Sequence, residues 1–205
     1  MKKNFSIFIF LFLISLFFAC QSNTSSILRE MYAGYYSIAE EYFSMKKYDK
    51  AAIYYEKCLL DKDGEIKRSV QYKLAKTYIQ LEKYEQARQI YESLLTIDEN
   101  NQNLKSSIAF CYLKSNQFDK AESIYNELLE AENQDSANYK NLILLKLIKD
   151  DLETAESLIS SYKEKFPLDE SISTLETALT KSKEEKANKD ASKNEQQSED
   201  DEDLL

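Results

Sequence analysis

Lys46-Lys47-Tyr48-Asp49-Lys50-Ala51, Glu82-Lys83-Tyr84-Glu85-Gln86-Ala87, Asn116-Gln117-Phe118-Asp119-Lys120-Ala121 and Asp150-Asp151-Leu152-Glu153-Thr154-Ala155 are four versions of one phrase. In each, polar residues lead into an aromatic or leucine, and an alanine closes the phrase. The alanines fall 36, 34 and 34 residues apart. Self-similarity at such an interval marks a repeat array, in which each unit buries its apolar face against a neighbour.

Composition narrows the fold class. In 205 residues glycine occurs twice, proline once, and histidine and tryptophan never, while Tyr, Leu, Lys and Glu abound. These are the proportions of an almost wholly helical protein. They also argue against catalysis, because nucleophilic triads and most zinc sites use imidazole, and phosphate-cradling loops need several glycines. Glu40-Glu41 cannot act as a carboxylate pair, since neighbours in a helix do not face each other, and Asp150-Asp151 sits where a turn ordinarily has Asp. Asp61-x-Asp63-Gly64 suggests a calcium loop, but an EF-hand register would require ligands from Leu59 and Val70, which have none to give. No catalytic residue, metal or cofactor is expected.

Around the quoted phrase the sequence resembles the tetratricopeptide repeat, a two-helix unit of about 34 residues. The first copy supplies Tyr35, Ile38, Ala39, Tyr42, Ala51 and Tyr55, the second Leu74, Ala75, Tyr78, Ala87 and Tyr91. The third supplies Ile108, Ala109, Tyr112, Ala121 and Tyr125, the fourth Tyr139, Leu142, Ala155 and Pro167. The fourth departs in having Ile143 at the small-residue place and Lys146 at the tyrosine place. The resemblance implies an all-α, right-handed α-solenoid of helical hairpins, with repeats at 32–67, 68–101, 102–135 and 136–167. Small side chains let paired helices approach closely: Ala39, Ala75 and Ala109 from first helices, Ala51, Ala87, Ala121 and Ala155 from second ones.

The same resemblance implies that partners are gripped by the inward face of each first helix. On this sequence that concave face comprises Tyr36, Glu40 and Phe43; Tyr72, Lys76 and Ile79; Phe110, Leu113 and Lys114; and Lys140, Leu144, Leu147 and Ile148. Aromatic and aliphatic side chains with lysines between them suit an extended or helical segment of a protein partner that brings its own acids.

The N-terminus reads as an address. Lys2-Lys3, an apolar-rich run from Phe5 to Phe18 and then Ala19 have the form of a secretory signal occupying residues 1–19, and the run is shorter than the ~20 residues of a stable membrane span. Ala19-Cys20 resembles the end of a bacterial lipobox, in which the cysteine is lipidated, although Phe17 and Phe18 depart from the usual residues. Secretion with a free cysteine and an uncleaved signal anchor are the alternatives. Residues 20–31 then form a polar tether, and Gln21 rather than Asp after the cysteine favours the outer membrane over the inner. Cys58 and Cys111 could pair as a disulfide, but each occupies a place where the repeat wants a small buried side chain, so two core thiols are expected.

Past Pro167, Ile172, Leu175 and Leu179 recur at helical spacing, so residues 168–187 are expected to cap the array. Residues 188–205 are dominated by Asp, Glu, Ser, Gln and Asn and are expected to be disordered. Of the net charge of −9 much lies at this end, where residues 183–205 carry nine acids against four lysines. An acidic chain without a basic face is repelled by phosphate backbones, so nucleic acid is not an expected partner. The sequence thus reads as a lipid-anchored scaffold that binds proteins in the cell envelope, outer-membrane protein assembly being one such setting; an envelope lipoprotein carrying a hydrophobic small ligand is the alternative.

Overall fold

The computed structural model describes residues 27–60, 67–131 and 135–202, with side chains as far as Ser192, and all regular structure among them is helical. The signal segment, Cys20, the Asp61-Gly64 loop and the last three residues lie outside the described set. The chain divides into two compact units, Met1–Glu99 and Asn100–Leu205. The first contains α1 (27–44), α2 (Tyr48–Cys58), α3 (Lys67–Gln80) and α4 (Tyr84–Leu95). The second contains α5 (Gln102–Lys114), α6 (Phe118–Glu130), α7 (Ser136–Ile148), α8 (Leu152–Lys165) and α9 (Ser171–Glu202).

Each quoted phrase opens on the tight turn that joins the two helices of a hairpin. Lys46, Glu82, Asn116 and Asp150 occupy equivalent places there, with φ of 57°, 57°, 57° and 59°, in the left-handed region. Lys47 N donates to Tyr42 O at 2.9 Å and Lys46 N to Phe43 O at 2.9 Å; the same pair of bonds recurs at Lys83 and Glu82, Gln117 and Asn116, and Asp151 and Asp150. This is the Schellman arrangement, which satisfies the last carbonyls of the first helix and reverses the chain within three residues. Glycine is the usual occupant of the left-handed place because a Cβ is strained there, and of the four side chains only Asn and Asp tolerate it readily.

With the reversal fixed, the small residues bring the helices together. Ala39, Ala51, Ala75, Ala87, Ala109, Ala121 and Ala155 are all fully buried. In the first unit Ala39 and Ala51 share a cluster with Ala52, Tyr55, Cys58, Val70 and Leu74, so the second hairpin's α3 closes over the first. In the second unit Ala109 and Ala121 pack with Leu113, Tyr125, Leu128, Leu142 and Leu145. The fourth hairpin accepts Ile143 at the small-residue place, fully buried beside Leu152, Ala155, Ile159 and Tyr162. Cys58 and Cys111 are both buried, and neither forms a disulfide.

At the termini the structure departs from the sequence reading in two respects. Residues 27–31, expected in the tether, already belong to α1, because Ile27, Leu28 and Met31 continue its apolar periodicity and the helix runs on through Gly34 without a break. At the other end, α9 docks through Ile172, Leu175 and Leu179 as a cap should, but it does not stop at 187. It continues to Glu202, through residues expected to be disordered. Docking supplies the costly helical nucleus, and propagation through Lys, Glu, Ala and Gln then costs little per residue. Among the described residues no helix is long and apolar enough to cross a membrane.

Two substitutions test this construction. Glu82→Gly, which relieves the strained turn at some cost from a more flexible unfolded chain, should raise stability by about 0.5–1 kcal/mol, whereas Asn116→Gly should gain less; a lower melting temperature for Glu82→Gly would contradict the assignment. Ala87→Leu should instead cost about 1–3 kcal/mol by overpacking, read as a drop in thermal unfolding temperature.

Candidate functional site

The residues anticipated for an inward face lie on α1 and α3 in the first unit and on α5 and α7 in the second. In the first unit, Tyr55 rises from the core until its hydroxyl donates to the carboxylate of Glu40. Lys73 Nζ donates to the other oxygen of Glu40 at 2.8 Å. Burial pushes the Glu40 carboxyl upward, but the hydrogen bonds from Lys73 and Tyr55 and the charges of Lys73 and Lys76 outweigh it and hold the group below its ordinary range. Glu40 is therefore an ionised, internally satisfied link between α1 and α3. Lys73 was not singled out in the sequence; its one signal there is that it lies beside Tyr72 on a face that otherwise alternates ring and charge.

Around this link the rings pack edge to face. Tyr36 meets Tyr55 with centroids 6.1 Å apart, Phe43 meets Tyr48 at 5.4 Å, and Tyr72 meets Tyr91 at 5.7 Å. Each inward ring is consequently half-buried, braced by a ring from a second helix. Ile79 is also half-buried, and Lys76 is exposed.

In the second unit the expected residues separate. Phe110 is half-buried, with Lys114 Nζ 5.8 Å from its ring centroid. Leu113 does not belong to the surface: it is 4% exposed and packs with Ala109, Tyr125 and Leu142. It follows Ala109 by one helical turn, as Phe43 follows Ala39 and Ile79 follows Ala75, and here Leu142 and Leu145 of α7 belong to the same buried cluster and close over it. Lys140 is likewise committed within the chain, donating to Asp169 Oδ2 at 3.3 Å. Asp169 also accepts from Tyr162 Oη at 2.5 Å, Ser171 N at 2.9 Å and Ser171 Oγ at 2.6 Å, bonds that hold its carboxyl far below the usual range. This joint seats the start of α9. Leu147 is half-buried against the cluster that contains Leu179, whereas Leu144 and Ile148 stay exposed at 45% and 52%.

The departure at Lys146 has a structural explanation. Its ammonium, 12% exposed, reaches Glu122 at 2.6 Å and Asp151 at 2.8 Å, while Lys149 reaches the other oxygen of Glu122 at 2.7 Å and Asp119 at 2.9 Å. An ionic network joins α6, α7 and the start of α8 where the other repeats place a ring. No cluster of His, Cys, Asp and Glu fit to hold a metal ion occurs among the described residues. An open cleft of about 420 Å³ is lined by Tyr112, Asp119, Lys120, Ser123 and Ile124, apart from the inward residues.

Tetratricopeptide-repeat models match residues 32–60 and 78–145. The fold is similar to that of a tetratricopeptide repeat protein from Parabacteroides merdae, with a TM-score of 0.65 and 18% identity over 78% of this chain and 62% of that one. It is similar also to PilF of Pseudomonas aeruginosa, at TM-score 0.55 and 18% identity over 71% of this chain and 66% of that one. YrrB, a tetratricopeptide-repeat protein with an unusual peptide-binding site, aligns at TM-score 0.51 and 21% identity over 65% of this chain and 68% of that one. At these identities the likeness is one of fold, and the chain spans less than two thirds of the Parabacteroides protein. Comparison with curated proteins yields no match.

The Lys146 network predicts a pH dependence. Hydrogen bonding to Lys146 lowers Glu122, and the same partner brings Asp151 down to about 2. Carboxyls depressed by folding contribute stability that is full above their unfolded values, near pH ~4, and is lost as pH falls through the folded ones. Lys146→Met should therefore lower the melting temperature at neutral pH and flatten the acid limb of its pH profile between roughly pH 4 and pH 2. An unchanged acid limb would show that the network carries no linkage.

Proposed function

The chain is a tetratricopeptide-repeat protein, and from that premise we propose that it is a lipid-anchored scaffold of the cell envelope that binds a polypeptide partner along its inward face. The observation that carries the binding is the exposed apolar pair Leu144 and Ile148 on α7, left open after α9 has docked. Phe110 and Lys114 hold the equivalent places on α5, 34 residues earlier, so a ring, two aliphatic side chains and a cation recur at the repeat interval. In the first unit Tyr36, Tyr72, Lys76 and Ile79 offer a second patch of the same chemistry. Braced half-buried rings lose little entropy when a partner covers them, which favours association. Glu40 and Lys140 orient the helices rather than contact the partner, and Leu113 is core.

The anchor rests on the signal-like segment followed by Ala19-Cys20, and Gln21 favours the outer membrane. Metabolic labelling with a palmitate analogue should mark the wild type and not Cys20→Ala.

For the partner, a photo-crosslinking amino acid at Leu144 or Ile148 in intact cells should yield a polypeptide adduct. Leu144→Asp with Ile148→Asp should then weaken that partner at least about tenfold while the melting temperature stays within a few degrees. Undiminished binding by the double variant would remove α7 from the interface, and a small molecule carried through native mass spectrometry in place of a polypeptide would favour the ligand-carrier alternative.

A further inference from the structure

The N-terminal edge of the array is unlike any other described surface of the molecule. Ile27, Met31, Ile38 and Met45 follow one another at intervals of 4, 7 and 7 residues, so they form a single stripe along α1 and just past its end. All are exposed, at 59%, 39%, 36% and 50%. The repeat shows what this stripe is built for. Leu74, which takes the place of Ile38 in the next hairpin, is 3% exposed and packs with Ala52, Tyr55 and Cys58 of the hairpin before it. Leu142 takes the same place on α7 and is 1% exposed, packed with Ala121, Tyr125 and Leu128 of α6. The position expects a cover on its N-terminal side, and on α1 no described residue supplies one.

Beside the stripe lies a bank of tyrosines. Tyr54 packs between Tyr35 and Tyr42, with centroids 6.0 and 5.6 Å away. Lys57 Nζ stands 4.6 Å from the Tyr54 centroid and 5.4 Å from that of Tyr35, and Lys50 Nζ stands 5.5 Å from that of Tyr42. The opposite end of the array is different, because the outward residues of α9 from Ser173 to Lys189 are Ser, Thr, Glu, Lys and Asn with single alanines. Repeat arrays need polar outer faces at their ends to remain soluble. One end of this chain meets that requirement and the other does not.

We propose that the stripe of Ile27, Met31, Ile38 and Met45 lies against the lipid bilayer, with the tyrosine and lysine bank at headgroup level. The proposal rests on the anchor reading of Cys20. Six residues, Gln21 to Ser26, separate that cysteine from Ile27, so the start of α1 lies within about 25 Å of the lipidated residue even when the link is fully extended. A patch tethered so closely meets its surface at high effective concentration, and weak binding then suffices. Roughly a few hundred Å² of apolar surface is enough for such contact but is small beside the ~800 Å² that each partner buries in a stable dimer. The neighbouring chemistry fits the site: tyrosine rings and lysine stems bury their apolar bodies while their polar tips stay in water.

The absence of tryptophan from the chain allows a direct test on the full-length protein isolated from the cell envelope. Met31→Trp, Met45→Trp and, as a distant comparison on α7, Ile148→Trp are each mixed with vesicles of phosphatidylethanolamine and phosphatidylglycerol carrying acyl-chain bromine. Fluorescence of the Met31→Trp and Met45→Trp proteins should shift to the blue and fall by about half, as for side chains seated at the boundary of headgroups and acyl chains, with Ile148→Trp unaffected. Equal emission from all three on vesicles that the protein floats with would overturn the proposal. So would a blue shift that needs no vesicles and grows with protein concentration, which would identify a second copy as the cover. The mass of the N-terminal peptide reads the anchor separately. Quenching with an unmodified Cys20 would retain the lipid-facing stripe and discard the anchor, whereas an acylated Cys20 without quenching would do the reverse.

Discussion

Two helices can lie close only where neither carries bulk at the crossing, and in this chain that requirement recurs with each repeat. Ala39, Ala51, Ala75, Ala87, Ala109 and Ala121 of the first three hairpins and Ala155 of the fourth are buried without residual exposure, and the larger side chains of the core are arranged around them. Tyr55, Tyr91 and Tyr125 fill the space that the small residues open. Because the contact is short on apolar area, a lone hairpin gains little from it, and stability comes from the next hairpin closing over the first. The turn serves the same end: a reversal within three residues keeps the two alanines at a fixed offset, and the chain accepts a left-handed lysine or glutamate to keep it.

Where the repeat departs from its pattern, one kind of cohesion replaces another. In the fourth hairpin a lysine takes the place of a tyrosine, and charge pairs to Glu122 and Asp151 do the joining that ring packing does elsewhere. Partly buried pairs of this kind specify geometry more than they add stability. They also make the fourth hairpin sensitive to acid, as the link from Glu40 to Lys73 does for the first.

Much of this architecture was legible in the sequence because its determinants are local and repeated. The phrase ending in Ala51, Ala87, Ala121 and Ala155 identified both the helix pairing and the turn. What was not legible depended on contacts between residues far apart in the chain. Leu113 sits at the same register as Phe43 and Ile79, one turn after the core alanine, and only the packing of Leu142 and Leu145 from α7 in its cluster makes it core. Lys140 reads as a free cation until Asp169, 29 residues later, is brought beside it by the seating of α9. Glu40 and Lys73 likewise needed the packing of α1 on α3. The helical continuation past 187 was missed because composition reports whether a segment can bury itself, not whether a docked helix can run on through it.

The two buried thiols have a consequence of their own. Cys58 donates to the carbonyl of Tyr32 at 3.6 Å, and burial pushes its thiol up to about 11. At neutral pH roughly one such group in ten thousand is a thiolate, and Cys111, with no residual exposure, is equally shut away from oxidants. The two belong to different compact units. A chain so arranged draws nothing from a disulfide among its described residues, so its hairpins pack alike whether their surroundings reduce or oxidise.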